Sequence, residues 1–270
     1  ASNTTIPGAF GIWLNNASNT TVTNNNITIN GTSVNGGIYL YNTANNNRID
    51  NNTIYSTGSA ASNYGIYLFT SVLWNNINNN TIRTLGNGVT NSGIYIYSTA
   101  SENNVTNNNI TTYGTTNNYG INLQTNANNT LINNNIIRTG GSSGNNWGIY
   151  LYTSVGNNNI TNNDINTSGT STNYGIVLNT NANNNTIDDN RIDAEGSTTD
   201  NYGIYVITAL QNNITDNNIT ANGTSANYGI LLTTGTNNTR ITNNRITTNG
   251  SAGTNYGIYL YLSSTNNISN

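Results

Sequence analysis

Aliphatic residues recur along this chain in a strict rhythm. The step Asn63-Tyr64-Gly65-Ile66-Tyr67-Leu68 returns ten times in variant form, with its isoleucines at Ile12, Ile38, Ile66, Ile94, Ile121, Ile149, Ile176, Ile204, Ile230 and Ile258. These lie 26, 28, 28, 27, 28, 27, 28, 26 and 28 residues apart, a period of stacked repeats rather than of ordinary globular domains. Inside each step aliphatic and other residues alternate, as in Gly148-Ile149-Tyr150-Leu151-Tyr152, which predicts a short strand with one face turned inward.

A second aliphatic follows ten or eleven residues after each anchor, as at Val22, Ile49 and Ile77. A third comes five residues later without variation, as at Ile27, Ile54 and Ile82, so insertions are confined to the other two corners. Between them run two columns of turn residues, one from Asn24 and Asn51 to Asp189, Asp216 and Asn243, the other from Asn25 to Asn244. Asparagine tolerates a left-handed backbone, and its amide both donates and accepts, so the corner predicts an asparagine ladder. A glycine column (Gly31, Gly58, Gly86 and onward to Gly250) predicts positive φ where the third strand ends.

Three strands and three corners in about 27 residues make one coil of a parallel β-helix. The fold class is therefore all-β, a single β-solenoid domain over residues 1–270, with about ten coils and a length on the order of 48 Å. No segment has the 3.6-residue apolar spacing of a helix.

The N-N-x-I and G-I-x-L steps, as in Asn217-Asn218-Ile219 and Gly203-Ile204-Tyr205-Val206, resemble the right-handed parallel β-helix repeat proteins of the pectin-lyase-like and NosD-like type. Right-handedness is what this resemblance implies. Function is left open by it, because the fold carries lyases, epimerases, adhesins and passive surface repeats.

Composition narrows the functional classes. Asparagine fills 68 of 270 positions, there is one proline, and cysteine and histidine are absent. With six arginines, no lysine and nine acids, there is no basic surface for nucleic acid or for an anionic membrane. No run is long and apolar enough for a membrane-inserted helix. Without cysteine the redox compartment is silent.

The outward columns of the first strand carry the most distinctive chemistry. Trp13, Tyr39, Tyr67, Tyr95, Tyr150, Tyr205 and Tyr259 form one, and Tyr41, Phe69, Tyr97, Tyr152 and Tyr261 the next. Such a strip marks an interaction face for protein or glycan, against the simpler reading that aromatics stack for stability. A third column at the corner, Phe10 and Tyr64 through Tyr256, is expected to be semi-buried packing. From Tyr119 onward the repeat has a two-coil superperiod, in keeping with tandem duplication.

Catalytic chemistry is thin, and no catalytic residue is assigned. Polysaccharide-active β-helices cluster carboxylates, often with Ca²⁺. Here Asp189 and Asp216 share a column on adjacent coils, a weak metal candidate more simply read as aspartates replacing ladder asparagines. No cofactor is expected. Asp164 and Arg191 also share a column and predict an ion pair.

Asn-x-Ser/Thr sequons occur 19 times, but 68 asparagines and 66 serines plus threonines in 270 residues give about 17 by chance. Position is more selective. Asn26, Asn109 and Asn218 precede the third inward isoleucine, and Asn159, Asn213 and Asn267 the second, so these six should point outward as acceptors.

Neither end resembles a cap, and the register from Asn270 to a second copy's Ala1 runs on with about two residues missing. The leading expectation is therefore a non-enzymatic, extracellular or cell-surface structural protein, N-glycosylated and polymerising head to tail with copies of itself. The alternative is a carbohydrate-binding or carbohydrate-modifying β-helix acting through the tyrosine face or Asp189 and Asp216.

Overall fold

Each coil closes because three short strands turn their aliphatic positions toward one axis. A computed structural model of the chain describes residues 8–59 and 62–269. In it the first coil runs Gly8–Asn15, Thr21–Thr23 and Asn26–Gly31, and later coils repeat this order. Corresponding strands pair in parallel to give a ten-stranded sheet 1, a ten-stranded sheet 2 and a nine-stranded sheet 3. Coils are numbered 1–10 by the Gly-Ile step they contain.

The register is the one that the aliphatic period predicts. Ile12 pairs with Ile38, Ile38 with Ile66, Val22 with Ile49 and Ile27 with Ile54. From coil 2 to coil 9 the anchor isoleucines are fully buried. From Ser56 through Thr84, Thr112 and Ala194 to Ala221, the column two residues beyond the third aliphatic is small and lies inside.

Three asparagine columns line the interior, where one was expected. The expected one separates into two roles. Asn24, Asn51 and their successors take positive φ and face solvent, while Asn25, Asn52, Asn80 and onward are the ladder. Asn80 Nδ2 donates to Asn108 Oδ1 at 2.9 Å and to the Ile49 carbonyl at 2.9 Å, and its own Oδ1 accepts from Asn52 Nδ2 at 3.0 Å. A second ladder between sheets 3 and 1 is unbroken from Asn35 to Asn255, as in Asn63 Nδ2 to Asn91 Oδ1 at 2.9 Å. A third, at the corner between sheets 1 and 2, is interrupted by Thr130 and Thr239. Most of these amides draw partners from the adjacent coils, with Asn35 Oδ1 and Asn212 Nδ2 left unmatched; an unmatched buried amide group costs about 1–3 kcal/mol.

The glycine column at the end of sheet 3 is corrected in its cause. Most of these glycines have no positive φ. A Cβ on Gly58 would meet Asn35 Nδ2 at 2.1 Å and Asn63 Oδ1 at 2.6 Å, so glycine is there to let the ladder pass.

Candidate functional site

Outside the barrel, sheet 1 presents the three aromatic columns. In coils 2–4 they form a block of parallel rings. Tyr39 and Tyr67 are 4.9 Å apart at 13°, Tyr67 and Tyr95 5.0 Å at 7°. Beside them Tyr41 and Phe69 are 5.6 Å apart, and Phe69 and Tyr97 5.4 Å. Rings stacked along the coil axis turn their faces to one another and show mainly edges to solvent. Tyr39 is 2% exposed. Burial, and then neighbouring phenols, push the hydroxyls of Tyr39, Tyr67 and Tyr95 well above the ordinary tyrosine range. This part of the expected interaction face is chiefly self-packed, with Trp13 at its end exposed and stacked on Tyr39 at 5.9 Å.

The ladder breaks at coil 5. Asn122 and Gln124 stand where coils 4 and 6 have Tyr95 and Tyr97, Tyr150 and Tyr152. Gln124 Nε2 donates to Asn122 Oδ1 at 3.1 Å, and the Tyr95 hydroxyl donates to Gln124 Oε1 at 3.2 Å. Tyr152 pairs with Gln124 on one side and Asn179 on the other, so no ring covers it along its column. It is 36% exposed and rests on Tyr150 at 5.6 Å. Burial raises the Tyr150 hydroxyl, Tyr119 raises it further, and a hydrogen bond with Asn179 partly opposes them. The result is an accessible ring between two carboxamides, each able to donate and accept.

From coil 5 onward the corner column takes over. Tyr119, Tyr174 and Tyr202 are buried, Tyr174 and Tyr202 stack at 4.5 Å, and Tyr205 packs edge-on against both. These rings form a separate apolar cluster outside the barrel, and the expected packing role of this column holds there. Tyr256 is 44% exposed at its end, and Tyr261 is 52% exposed. Tyr259 is half-buried against Tyr256 and Tyr228.

A minority of the charged groups are bound to one another. Asp164 accepts from Arg138 at 2.6 Å and from Arg191 at 2.8 Å, and Arg191 also pairs with Asp193. Burial acts to raise the Asp164 carboxyl, but both guanidinium groups outweigh it and hold it below the usual range. The Asp164–Arg191 pair follows from register; Arg138 was missed because it sits two residues along the neighbouring strand. Asp200 accepts from the Tyr202 hydroxyl and Ser225 Oγ, each at 2.9 Å. Asp189 and Asp216 are exposed corner residues with φ of 52° and 53°. Among the described residues no group of three acidic side chains is placed to hold a metal ion. Asn26, Asn109, Asn159, Asn218 and Asn267 are exposed and Asn213 is half-exposed, all pointing outward.

No curated protein matches the chain significantly. Among solved structures, a mutant of DFA-IIIase from Arthrobacter chlorophenolicus A6 in complex with DFA-III superposes with a TM-score of 0.62 at 13% identity, covering 87% of this chain and 58% of that one. A double mutant of the periplasmic alginate epimerase AlgG superposes with a TM-score of 0.53 at 15% identity, covering 94% and 71%. The chain thus spans little more than half the length of the DFA-IIIase, and at these identities the likeness is one of fold.

The comparisons correct two expectations, the head-to-tail structural filament and the absence of enzymatic activity. The two superposed structures named above are enzymes, a DFA-IIIase and an alginate epimerase. A single break in a repeated column already makes one place unlike the rest. The terminal residues Ala1 and Asn270, on which the filament register depended, lie outside the described residues. The family described as a right-handed beta helix region matches residues 1–136 and 116–270, and the chain belongs to that family.

Proposed function

We propose that the protein is a carbohydrate-active β-helix that binds a glycan on the outer face of sheet 1, centred on Tyr152. The observation that carries this is the open Tyr152 ring between the carboxamides of Gln124 and Asn179, next to the point where the stacked ladder stops. A sugar has apolar C–H faces rimmed by hydroxyls. An aromatic platform with bifunctional amides on either side matches both features. The carbohydrate-active enzymes that share the fold add weight to this reading.

For modification we assign Asp200, a carboxyl group held by the Tyr202 hydroxyl two coils beyond Tyr152 and at the opposite edge of the sheet, to act on a chain that extends across the face from that ring. We place the protein outside the cytoplasm, by analogy with the periplasmic epimerase. The six outward sequons are its acceptors in a glycosylating host, to be read by intact mass before and after deglycosylation.

The test is calorimetric titration of the protein with a panel of soluble polysaccharides, repeated with Tyr152→Ala. Loss of one aromatic platform is expected to weaken binding by about tenfold or more. Titrations without heat or saturation for every member of the panel would sink the reading. Product analysis on the bound polysaccharide, with and without Asp200→Asn, separates modification from binding alone.

A further inference from the structure

The corner joining sheet 1 to sheet 2 holds a column in which each residue has a left-handed backbone. Its φ values run from 54° to 58° through Asn19, Asn46, Trp74, Glu102 and Asn129 to Thr265. Asparagine suits this conformation, whereas a bulky ring gains nothing from it. Trp74 is the one aromatic residue with positive φ among the described residues. It is also 52% exposed, so burial does not offset the strained backbone. Strain without packing to explain it is a reason to look for function.

What Trp74 does have is a partner of equally unusual type. Its indole Nε1 donates a hydrogen bond to Glu102 Oε2 from the next coil, and these two interrupt an otherwise largely asparagine column side by side. The second carboxylate oxygen, Oε1, has no protein partner among the described residues. On the same two coils the Ser71 and Thr99 hydroxyls lie 3.2 Å apart. The stacked pair Phe69 and Tyr97 stands on the sheet 1 side of this corner.

We infer that Trp74 and Glu102 form a second carbohydrate subsite, selective for a neutral sugar unit. The indole face takes the apolar face of the ring, and Glu102 Oε1 accepts a sugar hydroxyl. The Trp74–Glu102 hydrogen bond holds the indole in place, which lowers the ordering cost of binding. The carboxylate repels acidic sugars, which restricts the ligand to neutral ones. This inference rests on the carbohydrate reading above.

The test uses neutral hexaoses of glucose, mannose and galactose, with hexagalacturonate as the acidic comparison, titrated against the whole protein and Trp74→Asn. That variant restores the residue type the column prefers. Neutral-hexaose affinity is expected to fall about tenfold in Trp74→Asn while the thermal midpoint holds or rises. In a Trp13→Phe, Trp147→Phe background, neutral hexaoses should also shift Trp74 fluorescence, and hexagalacturonate should not.

A merely structural pair predicts the opposite: a lower midpoint in Trp74→Asn with binding unchanged, which would overturn the subsite. Binding that survives Trp74→Asn but is lost in Tyr152→Ala removes this inference and leaves the proposed function standing. Absence of any glycan binding by the unaltered protein removes both.

Discussion

Coils 2–4 and coils 5–7 of sheet 1 share one backbone register and yet offer different surfaces. In the first set Tyr39, Tyr67 and Tyr95 stack at 4.9–5.0 Å, and the rings use one another as solvent shields. In the second, Asn122, Gln124 and Asn179 replace rings, and Tyr152 is left with amides for neighbours. A parallel solenoid brings like residues within about 5 Å of each other. An unbroken aromatic column is therefore a packing device, and a broken one is where a ring has a face to offer. Counting aromatics along the strip measures stability; locating its gaps locates the site.

The largest effect should come from breaking the packed side. Tyr39→Ala removes a buried ring that touches Phe10, Trp13, Tyr41 and Tyr67, and is expected to cost about 3–5 kcal/mol in chemical denaturation. Tyr152→Ala, with its ring partly in solvent, should cost less than about 1 kcal/mol by the same assay. Equal losses for the two would mean that the two halves are not different in kind.

Gln124→Tyr sharpens the comparison from the other side by extending the ladder through the break. Ring contacts with Tyr97 and Tyr152 should add about 0.5–1.5 kcal/mol. Glycan binding should be lost with them, because the new ring covers Tyr152. A variant that is stabilised and still binds would place the ligand elsewhere on the sheet.

The mildest perturbation is pH. The buried phenols of coils 2–4 have folded pKa values raised above their ordinary value of 10.0. Their neutral form is favoured in the fold, so this contribution is complete below about pH 10 and is lost as pH climbs from there toward the folded values. Spectrophotometric titration should find these tyrosines protonated beyond about pH 10 until the ladder opens. Tyr150 belongs to the same late-titrating class despite lying beside the break.

Sequence and structure part where side chains of different strands meet. Glycine and positive φ go together in isolated turns, which makes the glycine column look like a backbone requirement. Its actual constraint, the side chains of Asn35 and Asn63 crossing at 2.1 and 2.6 Å from a Gly58 Cβ, comes from residues on other strands. Two of the three asparagine ladders were passed over because abundant asparagine gives no contrast in which a buried column stands out. Tyr152 was recognised only as one member of a strip, since a list of residue types does not say which ring lies on which. Arg138 escaped pairing with Asp164 because the long guanidinium reaches diagonally across the sheet.

The sequence by itself determined the coil. A period of 26 to 28 residues with three invariant aliphatic positions has a single economical solution, in which each position stacks on its own image and buries it. Strand register, the ten coils, and which aliphatic residues face inward all follow from that one-dimensional repetition. Only the tertiary structure decided which outward rings are free, which amides are buried and which acids are already neutralised. Those properties depend on distances between side chains of adjacent coils, where a few ångströms separate a stacked ring from an open one and a bound carboxylate from an available one.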